Sequence, residues 1–436
     1  MAPATTSHEN ASVRTGFATG SPARRRATRG GMLGNYVDQV DIFLPVIALA
    51  PVSERVLGPG SATAQTGLVF VATLLGRPLG AAIFGAVADR RGRTSTTRIA
   101  IAGIAATTAA IALVPGHTTL GAATLWAFVV LRFLGGVFLG GEYTAAIPLA
   151  MEWSEPRRRG SLSGAVMAMS PLANASIAAL TLALVEVLGI DAYADWAWRV
   201  PFAVGALLAA GMLLYYRRGV SDASAWKRAE RRPNPLRDIV IGRWRRQLWQ
   251  VFVLMTGLWL FTQMAVPVLT GELRASAALD PATVPLIMLV ATLVSAAAMY
   301  AAGPLSQRVG RRAFFVGFGA VALVAAPVVH AAVGAAGSLA AVATAVALLQ
   351  VVTVTAYGPV GAYLAERFPA QVRSSGYGVG YSLSIVAPAL YPFWLPPLQD
   401  ALGAGAAVRT VLVVAAVLLV VGALAGPETD RRAPLA

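Results

Sequence analysis

Residues 85–93 read GAVADRRGR and residues 303–312 read GPLSQRVGRR. Each stretch separates two long apolar runs and places a basic cluster around a glycine, and the step from Gly85 to Gly303 is 218 residues (303 − 85). A second echo has almost the same spacing: Glu152 and Arg159 are matched by Glu366 and Arg373, both 214 residues on (366 − 152, 373 − 159). Repetition at this length, in parallel order, predicts two related halves with a site between them near the middle of a membrane.

Outward from the two stretches, apolar runs fall near 31–52, 62–88, 97–114, 121–151, 161–189, 198–216, 246–270, 282–306, 313–334, 338–365, 374–397 and 405–425. A hydrocarbon core needs roughly 20 residues of helix per crossing, and helices satisfy their own backbone there. Only 13% of the 436 residues are charged, against about 25% in soluble domains. The run VLVVAAVLLVVGALAG at 411–426 is apolar on every face, which excludes the alternating pattern of a barrel. The expected fold is therefore an all-α membrane protein with twelve transmembrane helices in two pseudo-symmetric six-helix bundles. The division read from the polar intervals is a disordered cytoplasmic tail at 1–30, bundles at 31–216 and 246–425, a cytoplasmic linker at 217–245 and a second tail at 426–436.

The net charge of +15 raises the question of nucleic acid. The placement of the charge answers it: 29 of the 35 Lys and Arg fall in 1–30, 89–98, 154–160, 217–246, 307–312, 367–373 and 430–436. These segments lie on one side of a twelve-span topology, so the positive-inside rule puts both termini in the cytoplasm of a multi-pass cell (inner) membrane protein, beside anionic lipid. No aromatic-interleaved basic module is present, so no nucleic-acid partner is expected. There are no cysteines, and His8, His117 and His330 are scattered, so neither a metal nor a cofactor is expected. An enzyme should gather His, Asp or Glu near one interface, and a nucleotide-driven pump should carry a G-x-x-x-x-G-K-[ST] loop; the sequence offers neither.

GAVADRRGR resembles the G-x-x-x-D-R-x-G-R loop of the major facilitator superfamily, with Gly85, Asp89, Arg90, Gly92 and Arg93 in place. In the second copy Arg308, Gly310 and Arg311 persist while Gln307 stands for the acid. The stretch from Arg132 through Gly136, Gly140, Gly141, Glu142, Tyr143, Glu152, Arg158, Arg159 and Gly160 is similar to the metabolite:proton symporter branch, which includes carriers of α-ketoglutarate, citrate, shikimate and proline/betaine. Arg77-Pro78, Trp196 to Phe202, and Tyr357 to Gly376 extend that likeness. The first span departs from it, reading Asp38-Gln39-Val40-Asp41-Ile42, which keeps the family's acids and loses its aromatics. The resemblance implies a gate of exchangeable ion pairs, and the residues read as gating are the two loops together with Glu152, Arg159, Glu366 and Arg373.

Ionisable groups inside a span are costly and mark ion or substrate pathways. Asp41 and Glu142 are the expected proton-coupling groups, with a structural ion pair as the bland alternative for Asp41. Arg77 and Arg132 need carboxylate or carbonyl partners, and pairing one with Asp41 leaves the other for a substrate carboxylate, which a guanidinium grips bidentately. Asp38, Tyr143, Gln263, Tyr357 and Tyr381 complete the expected substrate set. Gly136 and Gly140 are read as helix-packing positions, and Pro359, Pro388 and Pro392 as kinks. The functional expectation is a monomer that takes up a small polar metabolite, a carboxylate or zwitterion, with protons by alternating access; an exporter by proton antiport on the same fold is the rival.

Overall fold

The computed structural model describes residues 21–60, 62–229, 233–276, 283–429 and 432–435. Among them every regular element is helical. The long helices are α1 (Pro22–Ala48), α2 (Ala62–Arg91), α3 (Arg93–Leu113), α4 (Ala123–Trp153), α5 (Arg159–Leu188) and α6 (Arg199–Gly219). The second series is α7 (Arg245–Ala275), α8 (Val284–Val309), α9 (Arg311–Ala335), α10 (Leu339–Arg367), α11 (Arg373–Ala389 with Tyr391–Leu402) and α12 (Ala404–Leu424). Ten of these are long and apolar enough to cross a membrane, and the two parts of α11, bent by 46°, form an eleventh. The charged α1 falls below that hydropathy test yet packs against α4, α5 and α6 inside the bundle, which completes twelve.

Proline and glycine set the breaks. In α10 the helix tightens at Thr355–Tyr357 and restarts beyond Pro359, and α11 breaks beside Pro388 and Pro392, as expected of residues that lack an N–H donor.

The start of α1 differs from the sequence reading, which took 1–30 as a disordered tail. The helix begins at Pro22: Ser21 caps it by accepting from the Arg24 backbone N–H at 3.3 Å, with proline in the first turn. Hydropathy does not see this turn because arginines fill it, although arginine is a good helix former. Residues 1–20 lie outside the described part. The linker also contains two short helices, Ser224–Arg228 and Pro235–Val240.

Packing repeats from half to half. The α2/α4 contact has its counterpart in α8/α10, α3/α6 in α9/α12 and α1/α5 in α7/α11; the halves meet through α5 with α8 and α2 with α11. Small residues allow these crossings. A Cβ on Gly136 would come 2.0 Å from Thr73 O, and one on Gly303 would come 2.3 Å from Gly160 O, so the backbones touch where glycine stands.

Candidate functional site: a central cavity and a closed latch

A cavity of about 610 Å³ lies between the halves. Its walls run from the middle of α1, α2, α5, α7 and α8 to the ends of those helices that lie away from residue 22 and the end of α12. It is thus closed at the end carrying the described terminal segments, the latch end, and extends toward the opposite one.

Arg77 lines the base of this cavity at 1% exposure, with its guanidinium carbon 5.2 Å from the ring centre of Tyr143 and 5.5 Å from that of Tyr381. Nε and Nη2 of Arg77 have no hydrogen-bond partner. Tyr143 and Tyr381 stack at 4.2 Å, and Trp259 meets Tyr381 edge-on at 5.1 Å while donating from its indole to Tyr381 O at 3.1 Å. Tyr357 receives a hydrogen bond from Thr262 at 3.0 Å. Of the residues expected to meet substrate, Arg77, Tyr143, Gln263, Tyr357 and Tyr381 line the cavity.

Arg132 and Asp38 do not line it. The Arg132 guanidinium is committed to Asp41: Nη1 donates to both carboxylate oxygens at 3.1 Å, Nη2 to the Asp41 backbone oxygen at 2.6 Å and Nε to Thr73 at 3.1 Å. Thr108 also donates to Asp41. Both partners are buried, so Asp41 sits in a saturated ion pair rather than facing an open path. Of the two arginines, the cavity keeps Arg77.

Asp38 on α1 and Glu142 on α4 bring their buried carboxyls together beside Arg77, and Asp38 Oδ2 and both Glu142 carboxylate oxygens have no hydrogen-bond partner. Two ionised carboxylates side by side repel, and a proton on either would relieve that repulsion. The approach needs glycine at Gly34, where a Cβ would fall 2.5 Å from Glu142 Oε1. The Tyr216 hydroxyl is buried close by without a partner. Sequence reading named both acids but gave Asp38 to the substrate, because their contact exists only once α1 crosses α4.

The latch end is closed by two equivalent networks. Glu152 pairs with Arg93 of its own half and Arg373 of the other. Glu366 pairs with Arg311 of its own half at 3.2 Å and Arg159 of the other at 3.1 Å. Gly92 and Gly310 turn the two loops with the same backbone, φ 115° and 116°. Each turn is capped by an acid that follows the sixth helix of its half: Asp222 accepts from the N–H groups of Arg93 and Thr94, and Glu428 from those of Arg311, Arg312 and Ala313. Neither capping acid was singled out in the sequence, although the shared position after each sixth helix was a signal. One difference between the copies changes a contact across the interface. Asp89 accepts from Ser374 N at 3.0 Å and Ser375 N at 2.8 Å, capping α11 across the interface, with Gly85 packed against Ser375. In the other copy neutral Gln307 accepts from Gly160 N at 3.1 Å near the start of α5. Arg90 and Arg308 are exposed on the two loops.

A family model described as Major Facilitator Superfamily matches residues 37–392. The chain belongs to the major facilitator superfamily. It is a multi-pass membrane transporter, not an enzyme. It is 28% identical over 387 residues to an α-ketoglutarate permease of Escherichia coli (strain K12), covering 84% of this chain and 85% of that protein. It is 27% identical to a citrate-proton symporter of Klebsiella pneumoniae, covering 88% of each. Among solved structures, the proton:xylose symporter XylE bound to 6-bromo-6-deoxy-D-glucose has the same fold, with a TM-score of 0.76 at 16% identity over 94% of this chain and 97% of that one.

Proposed function

We propose that this superfamily member is a proton-coupled symporter that takes up a small carboxylate or zwitterion, acting as a monomer in the inner membrane with its latch end in the cytoplasm. The observation that carries the reading is the pair of buried, unpartnered carboxyls of Asp38 and Glu142 beside Arg77 at the base of the cavity. Protonation of the pair releases Arg77 to a substrate carboxylate, and loss of the proton returns it, so each ligand favours the other's binding. Asp41, neutralised by Arg132, holds α1 to α4. The basic clusters at the latch end support the cytoplasmic placement, and the relatives whose names include proton symport support the coupling. Opening of the latch would require the Glu152–Arg373, Glu366–Arg159 and Asp89–Ser375 contacts to part while the within-half pairs persist.

Uptake of labelled carboxylates and betaine into cells expressing the protein, with and without a protonophore, tests this directly. Saturable accumulation abolished by the protonophore is expected; efflux of preloaded compound with no accumulation would replace symport by antiport.

A further inference from the structure

The names of relatives include carriers of di- and tricarboxylates and of proline and betaine, but the cavity of this chain has different chemistry. We infer that its substrate is a monoanionic carboxylate on an uncharged, ring-bearing body, moved with one proton per molecule. The inference rests on the symport reading for its stoichiometry alone; the substrate class rests on the walls of the cavity.

Charge decides the number of carboxylates. Among the described residues only two charged side chains line the cavity, Arg77 and Arg274. Arg77 stands fifteen residues along α2 from Ala62, and Arg274 is at the tip of α7 at the same end, so at 1.5 Å per residue their levels differ by ~20 Å. A small dicarboxylate spans far less. Its second carboxylate would therefore be buried among tyrosine, tryptophan and methionine with no cation to offset its desolvation. Arg77 itself lacks partners at Nε and Nη2, and one bound carboxylate relieves that deficit.

The walls decide the body. Beside Arg77 stand Trp259, Tyr357 and Tyr381, and across from them Phe43 and Phe70, whose rings are 5.6 Å apart. Flat aromatic walls favour a ring, by stacking or edge contact. Besides those of Arg77, four polar atoms on the walls have no partner, Asn35 Oδ1, Asn174 Oδ1, Thr181 Oγ1 and Gln350 Nε2, acceptors and donors suited to ring hydroxyls. A zwitterion's ammonium finds no acid on the described walls.

The stoichiometry follows from the groups facing Arg77. Asp41 is neutralised by Arg132. With one proton held between the buried carboxyls of Asp38 and Glu142, the pair carries one negative charge and Arg77 one positive charge, so the site is neutral when empty. One further proton makes it +1, and one monoanion restores neutrality. Transport is then electroneutral.

The test uses the purified full-length protein. Equilibrium binding of benzoate, 4-hydroxybenzoate and cyclohexanecarboxylate is compared with that of α-ketoglutarate, citrate, proline and glycine betaine, on the wild type and on Arg77→Gln and Arg77→Lys. The ring monocarboxylates are expected to bind at least about tenfold tighter than any other probe, with binding lost in Arg77→Gln and partly kept in Arg77→Lys. Equal or tighter binding of a di- or tricarboxylate or of betaine, or no binding of any ring monocarboxylate, overturns the substrate class. In proteoliposomes, uptake driven by an imposed pH gradient should not respond to membrane potential; a response overturns the one-proton stoichiometry. Intact binding without gradient-driven uptake would instead remove the symport reading and leave the class standing.

Discussion

The two halves share helix order, crossing partners, loop turns and ion-pair networks, yet they divide the chemistry unequally. The first half places Asp38, Asp41, Arg77, Arg132 and Glu142 within its spans, all buried. At the matching depth the second half presents Gln263, Gln350, Tyr357 and Tyr381. Duplication has kept what moves and closes the molecule, while charge handling has collected on one side. The latch shows the same bias on a smaller scale, with Asp89 on one copy and neutral Gln307 on the other.

The largest effect is expected where the halves differ most. Arg132→Gln strips Asp41 of its cation in a buried site and should cost about 3–5 kcal/mol, seen as a marked fall in the thermal unfolding temperature of the purified protein. Gln350→Leu, in the second half, replaces an amide whose Nε2 has no partner and should leave that temperature nearly unchanged. Similar losses from both would erase the distinction.

The symmetric part of the latch should respond symmetrically. Glu152→Gln and Glu366→Gln each leave two buried arginines without their carboxylate and should shift the equilibrium toward an open latch by about 10²-fold. The chain contains no cysteine, so Ala370→Cys, buried at the closed end where its backbone oxygen accepts from Arg93 of the opposite half, provides a labelling site. Both glutamate variants should label faster at that position, and to a similar degree.

Where an acid in one latch is matched by an amide in the other, Asp89→Asn weakens a charged helix cap worth about 1 kcal/mol and should raise labelling about fivefold. Gln307→Asp should lower it by less. Opposite signs sharpen the comparison; matching signs would show that position to be indifferent to charge.

The smallest effect belongs to Glu155, between α4 and α5, whose carboxyl is held below the usual carboxylate range by its hydrogen bond and ion pair with Arg24. A lowered folded-state pKa contributes stability above the unfolded-state value and loses it as pH falls through the folded-state value. Glu155→Gln should therefore lower stability by less than about 1 kcal/mol at neutral pH and by nothing in strong acid, below the usual carboxylate range.

Much of this architecture was legible in the sequence because it rests on local signals. The apolar runs require helices, and the two glycine–arginine loops announce the repeat before any contact is known. Glu152, Arg159, Glu366 and Arg373 were legible for the same reason, since a repeated residue at a repeated offset occupies an equivalent place. Contacts between distant helices were not legible. Arg132 rather than Arg77 pairs with Asp41, and Asp38 meets Glu142, only because of how α1 crosses α4 at Gly34. The early start of α1 was hidden by its arginines, and Trp259, Phe43 and Phe70 reach the cavity from helix faces that hydropathy alone cannot orient.

The most direct test of the account is to compare accumulation with exchange in proteoliposomes containing Glu142→Gln. Removal of the Glu142 carboxyl should abolish accumulation driven by a pH gradient while leaving exchange of internal for external substrate in place, because exchange needs alternating access without net proton movement. Accumulation at the wild-type level would contradict the assignment of the proton to the Asp38–Glu142 pair.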